Sequence, residues 1–98
     1  MSKKVVLSST AKEKLSDLLE YLEDNWSARV KNDFIKKLDR SIAKISLYPQ
    51  SCPESMKVRG LYKCVVTKQA SLFYRITPEE IDVVTLFDTR QDPDKQKK

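Results

Sequence analysis

Between residues 10 and 48 the apolar positions recur with a helical period, and beyond residue 60 the period becomes that of strands. Ala11, Leu15, Leu18 and Leu22 fall at i, i+4, i+7 and i+11, with Leu19 beside them. They make one stripe of a helix from about Thr10 to Asp24. Thr10 and Glu13 have capping-box spacing, in which two side chains satisfy backbone N–H groups at a helix start. Asn25 marks a stop, and Ser27 a cap for the next helix. From Ala28 onward, Phe34, Ile35, Leu38, Ile42 and Ile45 form a second stripe. It ends near Tyr48, because the residue before a proline, here Pro49, is pushed away from helical geometry. The short connection predicts an antiparallel helix hairpin. Leu15, Leu19, Phe34, Leu38 and Ile42 are its expected core.

The strand pattern occupies both ends of the chain. "KVVLSS", residues 4 to 9, is a short β-branched strand. "PQSCPES", residues 49 to 55, is a proline-bounded loop. "LYKCVVT" (61–67), "SLFYRIT" (71–77) and "IDVVTLFD" (81–88) then follow with short turns between them, a three-stranded antiparallel meander. Pro78 suits the second position of a type I turn. The predicted order is β-α-α-β-β-β, a helix hairpin packed on a small antiparallel sheet in an α+β domain. In the last strand, strict alternation puts Ile81, Val83, Thr85 and Phe87 on one face and Asp82, Val84, Leu86 and Asp88 on the other. Both faces then carry apolar groups, and the hairpin covers only one. Either a partner chain covers the second face, or the first strand, the 49–60 loop and the tail curl over it.

Composition narrows the class. The 98 residues fit one domain, read as residues 1–93 with a frayed basic tail at 94–98. No apolar run approaches the ~20 residues of a membrane span, and the start lacks a signal-peptide core. The expectation is a soluble cytoplasmic protein without membrane contact. Cys52 and Cys64 match no metal or redox motif; a reducing compartment disfavours a disulfide between them, and they read as two ordinary small side chains, with their pairing left open. Neither a metal nor another cofactor is expected. The 19 Lys and Arg against 14 acids give a net charge of +5, which favours nucleic acid, a ribosome or an acidic protein as partner. The absence of histidine removes the commonest acid/base residue near neutral pH.

The order of elements, the hairpin ending in "ISLYP", "VRGLYKCVV" leading into the sheet, "LFYRI", and "VVTLFDTRQDP" at the close resemble the RelE/ParE superfamily of toxins from bacterial type II toxin–antitoxin modules. The likeness spans nearly the whole chain and is nearer to the ParE-like, plasmid-stabilisation members. It implies a compact toxin neutralised by a cognate antitoxin, in a hetero-oligomer, and a target that is either DNA gyrase or the translating ribosome with its mRNA. RelE-like members are ribosome-dependent mRNA nucleases whose sites resemble clusters of Lys and Arg on the sheet. Many add a His or Tyr near the C-terminal end. ParE-like members block gyrase by binding and need no catalytic residues.

Carried onto this chain, the resemblance points to Lys57, Arg59, Lys63, Arg75, Asp88 and Arg90 as target-binding residues. Arg59, Lys63, Arg75 and Arg90 are the catalytic candidates if the chain is a nuclease. The departure lies in "DTRQDPDKQKK", where no His or Tyr follows Arg90. Asp88, expected to be exposed, is a poor substitute, because a carboxylate beside phosphates repels the substrate. Whether the chain is an enzyme stays open. A ParE-like gyrase inhibitor is favoured over a RelE-like endoribonuclease, and a non-toxic binding module of the same fold is the third reading. Asp88 with Arg90 has a bland alternative as a surface ion pair, as have Arg59, Lys63 and Arg75 as solubilising charge. Lys3, Lys4 and the terminal lysines are read as solvating charge. Trp26, at the helix junction, is read as a core plug in preference to an antitoxin or target anchor. Tyr62 and Tyr74 are read as packing residues, although Tyr62 and Lys63 remain fallback sources of the acid and base.

Overall fold

Ser8 starts the first helix by an N-cap, its hydroxyl accepting a hydrogen bond from the Ala11 N–H at 3.0 Å. The computed structural model describes residues 3–88, with helix α1 at Ser9–Asn25 and α2 at Ala28–Leu47. The strands are β1 (Lys4–Leu7), β2 (Tyr62–Thr67), β3 (Ala70–Ile76) and β4 (Glu80–Asp88). The first cap is therefore Ser8 and not Thr10, and β1 ends at Leu7. Ser27 caps α2 as expected, accepting from the Val30 N–H at 3.1 Å. The tail at 94–98, with its lysines, lies outside the described residues. No helix among the described residues is long and apolar enough to cross a membrane.

The sheet is mixed. Its strand order is β1-β4-β3-β2, with β1 parallel to β4 and the other pairs antiparallel. The meander is thus as expected, and β1 adds the one parallel pairing. Ser46 on α2 anchors the chain ahead of β1: Lys3 N–H donates to its carbonyl at 3.0 Å, and its hydroxyl donates back to the Lys3 carbonyl at 2.6 Å. Lys3 also sends its ammonium group to the Thr77 carbonyl, so it is a structural tie and not merely solvating charge.

The alternation expected along β4 breaks in its middle. Phe73 pairs with Thr85, but the next residue, Tyr74, pairs with Val83, so Val84 is an extra residue in a β-bulge. The bulge shifts the phase by one. Ile81, Val83, Leu86 and Asp88 all turn to the helices and are buried, while Thr85 and Phe87 go to the opposite face. Most apolar residues of β4 thus face the helices, and Phe87 is left half-buried on the other side. Ala11 and Leu18 of α1, and Phe34, Leu38 and Ile45 of α2, meet Leu72, Tyr74, Ile81, Val83 and Leu86 in one core. Leu15, Leu19 and Ile42 flank that core half-buried. Each fully buried aliphatic chain there stabilises the fold by about 1.5–3 kcal/mol.

The shifted phase makes a prediction that strict alternation reverses. Leu86→Ala should cost about 2–5 kcal/mol in urea denaturation. Thr85→Ala should cost under about 1 kcal/mol. Equal costs, or the opposite order, would remove the bulge assignment.

Candidate functional site

The helices cover one face of the sheet and leave the other open. On the open face Lys63, Phe73 and Thr85 form one cross-strand row, because they are partners in register across β2, β3 and β4. Arg75 and Asp82 form the next. Lys63 and Arg75 are exposed, and the Lys63 ammonium lies 6.0 Å from the centre of the Phe73 ring. That is the outer limit of a cation–π contact. Glu80 and Asp82 bound the face at one end. The Glu80 carboxyl is raised above its ordinary range by a hydrogen bond with Asp82, with smaller contributions from desolvation and the Asp82 charge.

Lys57 and Arg59 lie on the loop before β2. Gly60 in that loop has φ +81°, a left-handed conformation that a side chain disfavours. Its N–H donates to the Glu54 carboxylate at 2.6 Å, which ties the loop back on itself. A Cβ built on Gly60 would stand 3.6 Å from Arg75 Nη1, so the Arg75 guanidinium lies against the loop that carries Arg59. Lys57, Arg59, Lys63 and Arg75 are all exposed. The same loop also presents Met56, fully exposed at 102%, and Val58. Sequence reading missed these two. Their signal is the alternation "MKVR", apolar and cationic residues within a loop.

Asp88 is not on that face. It is 1% exposed and turned toward the helices, opposite Ala70 at the far end of β3. The expectation of an exposed rim carboxylate is therefore corrected, and the cause is the bulge. Arg90 lies outside the described residues. Tyr74 is fully buried, and its hydroxyl donates to the Pro49 carbonyl at 2.6 Å. Burial, followed by the neighbouring Cys52, raises the Tyr74 hydroxyl well above the ordinary phenol range. Tyr62 stacks on Tyr74 at 5.5 Å. Both tyrosines serve packing, as expected. Tyr62 lies on the opposite face of β2 from Lys63, so that fallback pair is not brought together.

A second feature lies on the helix side. Trp26 is 68% exposed and is not a core plug. It caps the C-terminus of α1, where its backbone N–H donates to the Leu22 carbonyl. That position leaves the indole pointing away from the core. With Leu18, Tyr21, Leu22, Val30, Gln69 and Asp88 it walls a hollow of about 350 Å³. A neighbouring hollow shares Leu18, Leu22, Val30 and Gln69, so the two form one mainly apolar groove beside the hairpin turn. Among the described residues no group of three or more His, Cys, Asp and Glu side chains is arranged to hold a metal ion.

Comparison with known proteins agrees with this architecture. The family model "ParE toxin of type II toxin-antitoxin system, parDE" matches residues 5–93. The chain is 27% identical over 96 residues to Toxin ParE1 of Mycobacterium tuberculosis, covering 97% of this chain and 98% of that toxin. Its fold is similar to a chain of the chromosomal ParDE TA system from P. aeruginosa, with TM-score 0.74 and 10% identity over 89% of this chain and 96% of that one. A chain of the E. coli DinJ-YafQ toxin–antitoxin complex is also similar, with TM-score 0.62 and 9% identity over 95% of this chain and 99% of that one.

Two substitutions test these placements by urea denaturation. Tyr74→Phe removes the donor to Pro49 and should cost about 1–3 kcal/mol, because the carbonyl loses its partner in a part-buried setting. Trp26→Ala should change stability by less than about 1 kcal/mol, since most of the indole is in solvent. A large loss at Trp26 would restore the core-plug reading.

Proposed function

Because the chain belongs to the ParE toxin family of type II toxin–antitoxin systems, we propose that it arrests growth by binding DNA gyrase without cleaving RNA, and that a cognate antitoxin neutralises it. The observation that carries this reading is the make-up of the open face. Lys63 and Arg75 stand exposed there, with Lys57 and Arg59 on the adjoining loop, while the Tyr62 and Tyr74 side chains turn to the helix side. Cleavage of RNA through its 2′-hydroxyl requires a base for that hydroxyl and an acid for the leaving oxygen. A cationic surface with apolar anchors, here Phe73, Met56 and Val58, needs no such pair to hold a macromolecule. The net charge of +5 favours acidic partners.

The antitoxin takes the groove beside Trp26. Exposed tryptophans over an apolar hollow are common anchors of protein interfaces. The solved neighbours of similar fold include a toxin–antitoxin complex, which supports a protein partner of that class.

Induction without antitoxin tests the target. The expected result is growth arrest with a DNA-damage response and intact mRNA, relieved by Lys63→Glu combined with Arg75→Glu. Ribosome-phased mRNA cleavage would sink the gyrase reading in favour of the endoribonuclease. Normal growth would leave a non-toxic binding module. In a separate binding assay, Trp26→Ala should weaken the antitoxin complex by about thirtyfold, on the order of 2 kcal/mol. Unchanged affinity would move the antitoxin elsewhere.

A further inference from the structure

The segment after Pro49 runs antiparallel to β2 and closes its outer edge. Glu54 bridges Tyr62, with Ser55 N–H donating to the Leu61 carbonyl at 2.6 Å and Lys63 N–H to the Pro53 carbonyl at 3.0 Å. Those bonds flank the Glu54–Tyr62 pair, so it is of the non-hydrogen-bonded kind. Counting along both strands puts Pro53 opposite Lys63 and Cys52 opposite Cys64. Two residues on from Glu54–Tyr62, the cysteines occupy the same kind of position. Facing residues there have Cα atoms about 4.5 Å apart and side chains on one face. A disulfide spans Cα separations of roughly 4.4–6.8 Å.

The side chains agree with the register. Both cysteines are free and buried, Cys64 at 0% and Cys52 at 6% exposure, on the core side of β2. The Cys64 thiol interacts directly with that of Cys52, and Tyr74 interacts with both. Burial, followed by contact with Cys52, pushes the Cys64 thiol up to about 11, with Lys44 and Ser41 of α2 opposing the rise.

We infer that Cys52 and Cys64 form an oxidisable dithiol, which a hydroperoxide converts to an intrachain disulfide stapling the 49–61 loop to β2. The Cys52 sulfur, the more exposed of the two, attacks the outer peroxide oxygen and displaces an alcohol or water. The product is a sulfenic acid on Cys52. The Cys64 sulfur then attacks the Cys52 sulfur. The S–S bond forms, the S–O bond breaks, and the released hydroxide takes the Cys64 proton and leaves as water. Two electrons and two protons pass from the dithiol to the peroxide, whose O–O bond is broken. Burial of Cys64 keeps its thiol protonated, so the reaction is slow and waits on loop opening. The staple fixes the loop bearing Lys57 and Arg59 where Gly60 meets Arg75. This holds whatever the toxin's target, so its failure would leave the gyrase reading untouched.

The test uses the reduced full-length chain treated with hydrogen peroxide without denaturant. Its mass should fall by that of two hydrogens, and peptide mapping should join Cys52 to Cys64. The melting temperature should rise by on the order of 10 °C and return on addition of dithiothreitol. Cys52→Ser should abolish the rise. Sulfinic or sulfonic acids without a cross-link, dimers linked between chains, thiols that stay reduced, or a cross-linked chain that melts lower would each overturn the inference. The mass readout on the wild-type chain holds even if a cysteine variant fails to fold.

Discussion

Val84 is the residue that β4 leaves unpaired, and a single hydroxyl ties it down. Ser8 donates to the Val84 carbonyl at 2.6 Å while accepting from the Ala11 N–H. Its own N–H donates to the Val83 carbonyl at 3.0 Å. One residue therefore ends β1, caps α1 and satisfies a carbonyl of the bulge. Without a partner, such a carbonyl in a part-buried place costs about 1–3 kcal/mol. Because Ser8 links the first strand to the last, the parallel β1–β4 pairing and the phase of β4 are set at the same point. Everything the helices bury on the sheet follows from that phase.

The bulge also divides the chemistry of the molecule between two faces. Leu86 and Asp88 turn inward, and Thr85 and Phe87 turn outward. The open face is thereby left to Lys63, Phe73, Arg75 and Asp82, with no buried carboxylate among them. Asp88 instead becomes part of the wall of the Trp26 groove. A cationic surface and an apolar groove thus lie on opposite sides of one sheet.

The loop between α2 and β2 joins these regions to the core. Tyr74 holds its start through the Pro49 carbonyl, the Glu54–Tyr62 bridge holds its middle, and the Gly60–Glu54 bond tightens its end. Proline at 53 has no N–H to give to β2, so it holds Lys63 by its carbonyl alone, one residue from Cys52. The cations at 57 and 59 therefore hang from an anchored frame, and the exposed Met56 and Val58 project from it.

The sequence by itself determined the elements and their order. Helical stripes from Ala11 to Leu22 and from Phe34 to Ile45 need only a 3.6-residue period, and the three meander strands need only alternation and turn residues. The Ser27 cap and the exposure of Lys57, Arg59, Lys63 and Arg75 follow from the same local rules. Family likeness in the order of motifs supplied the toxin class. Only the tertiary structure decided the rest. Ser8 displaced Thr10 as the cap because it also answers β4, which is 76 residues away in the chain. Asp88 is buried because one inserted residue, invisible to a period-two count, inverts every position after it. The apolar bulk of Trp26 suggests burial, yet its placement at a helix end leaves the core to smaller residues. The facing of Cys52 and Cys64 belongs to the same class, since register across a loop is set by hydrogen bonds between distant backbone groups and not by spacing along the chain.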